Sequence, residues 1–274
     1  ILLTVDHKSV AQIIAERWDQ TPASNDPTKL RDIAQGLLRS NAEQIAVTYL
    51  RNGVEHSGVL KTYPPQKIAF NGAPKSSFRE LTDQIAYLYM GTLKRTDCET
   101  LFDKIRSTQG LIIDLRCYPS DFSTLYTIGD NLLISKPTCF YKVGVGSGIH
   151  PGLFTFRDAH KIGFYNLFPY KGKIVILVNE QTQSAAEFMA LALRVAPNAV
   201  VMGSTTAGAD GDVSLIELPG KIITYISGVG IYDPTGGETQ RVGIVPDRVV
   251  KPTLDGIKAG RDEVLEQAIA WIEA

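Results

Sequence analysis

The stretch KIVILVNEQTQSAAEFMALALR, residues 173–194, decides the fold class. Five apolar residues in a row, Ile174 to Val178, read as a buried strand. After a short polar turn the period changes, and Ala185, Phe188, Met189, Ala192 and Leu193 recur at helical spacing. A strand therefore feeds through a tight turn into a helix, with Ser184 at the junction. Ser184-Ala185-Ala186-Glu187 fits S-x-x-E, a capping box in which serine and glutamate satisfy two unpaired N–H groups. The same position also suits a nucleophile. A helix N-terminus presents unpaired N–H groups and partial positive charge, so an anion formed on Ser184 is stabilised there, with the Ala185 N–H as oxyanion donor. The G-x-S-x-G elbow is absent, and spacing alone leaves both roles open.

Working outward, strands and helices alternate. QIAYLYMG (84–91) reads as a strand, CETLFDKIRS (98–107) as a helix, GLIIDLR (110–116) as a buried strand and APNAVVMGS (196–204) as another. That order predicts an α/β layer with a largely parallel sheet. GRDEVLEQAIAWIEA (260–274) is a closing amphipathic helix, and residues 222–245 read as a hairpin across Asp233–Gly237. Upstream, residues 1–63 form a separate unit. ILLTVD is a strand, SVAQIIAERW a helix and TPASNDPT a loop. KLRDIAQGLLRS is a second helix with Leu30, Ile33, Ala34, Leu37 and Leu38 on one face, and a hairpin turns at Asn52-Gly53. PPQ at 64–66 marks the linker to residues 64–274.

The 274 residues carry a net charge of −1, which gives no reason to invoke nucleic acid or an anionic membrane surface. No apolar run reaches the ~18–20 residues that span a bilayer. The chain opens in the middle of a strand pattern, so upstream sequence is expected. Cys98, Cys117 and Cys139 form neither a metal cluster nor a disulfide framework, H-E-x-x-H is absent, and no cofactor is expected.

The segments taken together resemble a known family. ILLTVDHKSV resembles the second half of a PDZ domain. QGLIIDLRCYPSDF resembles the G-x-I-x-D-L-R-x-N-x-G-G strand and turn of C-terminal processing (tail-specific) serine peptidases. IVILVNEQTQSAAEFMALAL resembles their nucleophile segment, VVMGSTTAGADG their x-x-G-x-x-T-x-G, and RVGIVPDRVV their terminal G-(V/I)-x-P-D-x-x-V. The resemblance implies a ClpP/crotonase-like catalytic core behind a partial PDZ-like module that takes a polypeptide substrate by its C-terminus. It implies Ser184 as nucleophile, Glu187 as a supporting acid, and an oxyanion hole from the N–H groups of Ala185 and Ser120. An extracytoplasmic location is implied as well.

Three positions depart from the pattern. Ala209 stands where these peptidases place the lysine that serves as base, Val213 replaces a later Gln, and Ser120-Asp121 replaces Gly-Gly. TTAGADG is closer to the tricorn-like branch, where a histidine upstream of the PDZ module is the base and an acid near the last motif orients it. Glu238 is the candidate acid, and the base is expected before residue 1. Of the local histidines, His7 and His56 read as solvent-facing, while His150 and His160 lie in or near loops of the catalytic half. Asp114 and Arg116 read as strand-end anchors, Asp210 and Asp212 as a solvated loop, and Cys117 as a packing residue. Two functions follow: a serine endopeptidase working through Ser184, or a catalytically impaired peptide-binding protein on a peptidase scaffold.

Overall fold

Asn52 and Gly53 both adopt positive φ, 53° and 78°, the left-handed pair that a two-residue hairpin turn demands. That hairpin belongs to the first of two units, Ile1–Gly72 and Ala73–Ala274, into which the chain divides. The structure, a computed structural model, describes residues 1–68, 76–150 and 152–274. In the first unit the order is β1 (Leu2–Val5), β2 (Lys8–Ser9), α1 (Val10–Trp18), α2 (Asp26–Gly36), β3 (Gln44–Arg51) and β4 (Val54–Lys61). The strands form one sheet in the order β2-β1-β3-β4, and Val5, Ile13, Ile45 and Val47 make its small core. The second helix differs from the sequence expectation. Asn25 caps it, accepting from the Thr28 N–H at 3.1 Å, and Pro27 sits in the first turn, where its missing N–H costs nothing. Ile33 is buried on it, whereas Leu30 and Leu38 are exposed.

The second unit runs β5 (Phe78–Thr82), β6 (Ile85–Tyr89), α3 (Arg95–Arg106), β7 (Gly110–Asp114), α4 (Thr124–Ile128), β8 (Thr138–Cys139), β9 (Lys142–Gly146), β10 (Phe154–Asp158) and β11 (Lys161–Ile162). It continues with β12 (Lys173–Val178), α5 (Ala185–Leu193), β13 (Ala199–Gly203), β14 (Ser214–Leu218), β15 (Ile222–Ile226), β16 (Val229–Tyr232), β17 (Arg248–Val249), α6 (Leu254–Lys258) and α7 (Glu263–Glu273). Six strands form the main sheet in the order β17-β13-β12-β7-β6-β5, parallel except for β5 at one edge.

Alternation along the central strands explains why this sheet is buried on both sides. Leu111, Ile113, Ile174, Ile176 and Val178 enter the larger core with residues of α3, α4 and α5. Ile112, Val175 and Leu177 point the other way, onto Val264, Ala268 and Ile272 of α7. Lys173 holds the end of α7 by donating to the carbonyls of Trp271 and Ile272 at 3.1 and 3.0 Å.

The hairpin expected across residues 222–245 does not form as read. β15 pairs with β14, while β16 pairs with β9 in the three-stranded sheet β10-β9-β16. Across the 233–237 turn the pairing is short: the Tyr232–Glu238 bridge, with the Asp233 N–H donating to Gly237 O at 2.8 Å and the Thr239 N–H to Ile231 O at 3.3 Å. Beyond it side chains replace the ladder: Thr239 Oγ1 donates to Ile231 O, and Gln240 Nε2 donates to the carbonyls of Val229 and, away from the turn, Asp210.

Candidate active site

The parallel strands end on one edge of the main sheet, where ligands bind in α/β folds. From β12 the chain enters a turn fixed from two sides. Thr182 Oγ1 donates to Leu115 O beyond β7 at 2.7 Å, and the Ala207 N–H donates to Thr182 O at 3.0 Å. Ser184 follows at φ 53°, ψ −116°. A β-carbon makes that conformation costly, on the order of 1–3 kcal/mol, and it survives only where neighbours enforce it. The sharp strand-to-helix turn of a nucleophile elbow has this strained character, although the G-x-S-x-G sequence is missing here.

Glu187 does the enforcing. Its side chain is fully buried, and its carboxylate accepts four hydrogen bonds. Oε2 takes the N–H groups of Ser184 and Ala209 at 3.0 and 2.9 Å. Oε1 takes Thr206 Oγ1 at 2.5 Å and the Gly208 N–H at 2.6 Å. Ser184 and Glu187 thus keep the capping-box arrangement, yet the Ser184 Oγ makes no regular capping hydrogen bond. The glutamate couples the serine backbone to the loop after β13. That loop approaches so closely that a Cβ on Gly208, at φ +66°, would lie 2.9 Å from the Arg241 backbone.

A cavity of about 640 Å³ opens over Ser184 and Ala185. Its walls are mostly apolar, with Phe122, Val143, Phe188 and Ile231 among them, and its charged lining residues are Asp210 and Asp212. Asp212 is exposed, but Asp210 is only 4% exposed, so the reading of both as a solvated loop fails for Asp210. Burial pushes the Asp210 carboxyl up to about 7, against the Gly211 N–H, and the nearby Glu187 charge adds to the rise.

The other residues singled out from sequence fall differently. Ser120 is committed elsewhere: its N–H donates to Met90 O at 3.1 Å and its Oγ to Leu93 O at 2.7 Å. The oxyanion role assigned to the Ser120 N–H is therefore not supported in this conformation, because that donor is already paired within the fold. Glu238 is exposed in the bridge to Tyr232 and does not line the cavity. His7, His56, His150 and His160 are all exposed and none lines it, although the His160 ring lies 6.4 Å from that of the lining Tyr141. Burial, then the charge of Asp114, pushes the Cys117 thiol up to about 12, which disfavours the thiolate that a cysteine nucleophile needs.

Asp114 and Arg116 form the anchor read from sequence. Asp114 accepts from Tyr87 Oη at 2.7 Å and from Arg116, whose guanidinium reaches on to Asp262 through bonds of 2.8 and 2.7 Å. Among the described residues no group of three or more His, Cys, Asp and Glu could hold a metal ion, and no helix is long and apolar enough to cross a membrane.

This arrangement belongs to a peptidase family. The model of Peptidase family S41 matches residues 84–250, more than half of the chain, and the chain belongs to that family. Its sequence is 29% identical over 177 residues to carboxyl-terminal-processing peptidase 3, chloroplastic, of Arabidopsis thaliana. The match covers 62% of this chain and 31% of that protein, so the chain spans about a third of the relative's length. In fold it is similar to mature CPAF complexed with lactacystin, at TM-score 0.72 and 15% identity, covering 97% of this chain and 76% of that one. It is also similar to the photosystem II D1 C-terminal processing protease, at TM-score 0.50 and 18% identity, covering 96% and 68%.

Proposed function

We propose that the protein is a serine endopeptidase whose nucleophile is Ser184, on a ClpP/crotonase-like core in residues 64–274. The observation that carries this reading is the strained Ser184 backbone, clamped by Glu187 at the head of α5 and facing the cavity. Ser184 Oγ attacks the carbonyl carbon of a peptide, and the oxyanion forms where the Ala185 N–H and the positive end of α5 stabilise it. Glu187 keeps the serine in position without touching substrate. Residues 1–63 act as a partial PDZ-like module that takes a polypeptide C-terminus by strand addition, and the protein works outside the cytoplasm.

Incubation with peptides of varied C-terminus, followed by mass spectrometry of the products, tests the function. Cleavage by the native chain and none by Ser184→Ala is expected. Equal cleavage by both would overturn the assignment. A second reading, a peptide-binding protein on the same scaffold, is favoured by the paired N–H of Ser120 and by Ala209 at the lysine position. It predicts saturable binding of the same peptides and no product from either form.

A further inference from the structure

Asp210 is a buried carboxylate for which the clamp around Ser184 has no use. Its Oδ1 accepts the Gly211 N–H at 2.7 Å, while Oδ2, shielded from solvent, has no hydrogen-bond partner. An unpaired carboxylate oxygen in a folded interior costs free energy that architecture alone does not require. Its placement is well determined. Glu187 Oε2 holds the N–H of the preceding residue, Ala209, together with the Ser184 N–H, so the loop carrying Asp210 is tied to the nucleophile's own backbone. From the other side, Gln240 Nε2 donates to the Asp210 carbonyl at 2.9 Å. Asp210 and Ser184 line the same cavity, and no Lys, Arg or His lines it.

We propose that Asp210 is the catalytic base for Ser184, supplying from the next residue the function that Ala209 lacks. The inference rests on the reading of Ser184 as nucleophile. As Ser184 Oγ bonds to the substrate carbonyl carbon, its proton passes to the free lone pair of Asp210 Oδ2 and the carbonyl electrons move onto oxygen. When the oxyanion collapses, the C–N bond breaks and Asp210 returns the proton to the leaving amine. Water then repeats the sequence on the acyl-enzyme. A base works best when it titrates near the working pH, and burial brings this carboxyl there. The groups that face it are Glu187 from α5, Tyr141 ahead of β9, Tyr118 beyond β7 and Asp212 on its own loop. None is cationic, so the Gly211 N–H alone works against the rise.

The test is the rate at which a fluorophosphonate modifies Ser184 between pH 5 and 9, in the native chain, Asp210→Asn and Asp210→Glu, with and without added imidazole. The native rate is expected to rise with pH through a midpoint near 7 to a plateau above it. Asp210→Asn is expected to be slower by about 10²-fold or more and to lack that inflection. Asp210→Glu is expected to recover part of the rate with a displaced inflection. A thermal melt of each sample establishes that it is folded. Native rate and inflection in a folded Asp210→Asn would overturn the proposal. So would a native chain modified only when imidazole is added, which leaves Ser184 as nucleophile and removes Asp210 as base. No modification even with imidazole would overturn the reading of Ser184 and the inference with it.

Discussion

Two buried carboxylates lie at or beyond the C-terminal ends of β7 and β13, the parallel strands on either side of β12, and the fold treats them in opposite ways. Asp114, at the end of β7, is matched by Tyr87 and Arg116, and Arg116 is matched again by Asp262. Asp210, beyond β13, has one oxygen paired and one bare. The first region is a closed network in which each charge has a partner, which is what a structural anchor needs. The second keeps an open acceptor on a residue that lines the same cavity as a strained serine, a local cost of the kind that clusters at functional sites. Glu187 shows that the contrast is not simply one of place. It lies between the serine and the Asp210 loop, and its carboxylate is fully engaged.

Substitutions can break or sharpen this contrast. The largest effect is expected from Asp114→Ala, which leaves the buried Tyr87 hydroxyl without its acceptor and the half-buried Arg116 with Asp262 alone, and should cost about 3–5 kcal/mol in urea unfolding. Asp210→Asn should do the reverse and stabilise the fold. Native Asp210 keeps its proton to about pH 7, whereas an unfolded aspartate releases it near 4. Between those values the folded state binds more protons, so native stability falls as pH rises through the window. The asparagine cannot titrate, so its advantage should be absent below pH 4, grow to roughly 2–4 kcal/mol and level off above 7. Melting curves at pH 4 and pH 8 check this, and equal shifts at both would contradict the buried, proton-retaining carboxyl.

Glu187→Gln turns an amide nitrogen toward N–H donors and should cost about 2–3 kcal/mol. It should also slow any reaction at Ser184, because the strained backbone loses its clamp. Smallest is Gly208→Ala, where positive φ and the nearby Arg241 backbone predict a loss of about 1–2 kcal/mol by denaturant titration. A neutral result there would mean that the loop carrying Asp210 is looser than the structure has it.

Much of the main sheet was legible because its strands are continuous apolar runs and its helices keep a clean period. Ile174–Val178 and the α5 stripe identify themselves, and Asp114 with Arg116 was read correctly as an anchor. Residues 118–172 were not legible. They hold short antiparallel strands and the brief α4, too short for periodicity to register. The hairpin misplaced at 233–237 shows a related limit: the turn chemistry is real, since Asp233 accepts from the N–H groups of Thr235 and Gly237, but a turn does not name the partner of the strand that enters it. At the site, S-x-x-E announced Ser184 and Glu187 as neighbours. It could not reveal that Glu187 reaches Thr206, Gly208 and Ala209, because those contacts span some 20 positions. Asp210 was missed because A-G-A-D-G has the composition of a solvated loop, and its burial comes from tertiary packing alone. The one local sign was an acid immediately after the residue at the lysine position.

The central claim is that Ser184 is a nucleophile and more than a helix cap. Its most direct test is mass mapping of the folded chain after reaction with a fluorophosphonate, with Ser184→Ala alongside. A single adduct on the peptide that contains Ser184, lost in the alanine variant, is the predicted result. An adduct on another serine, or none on a folded chain with imidazole supplied, would contradict it.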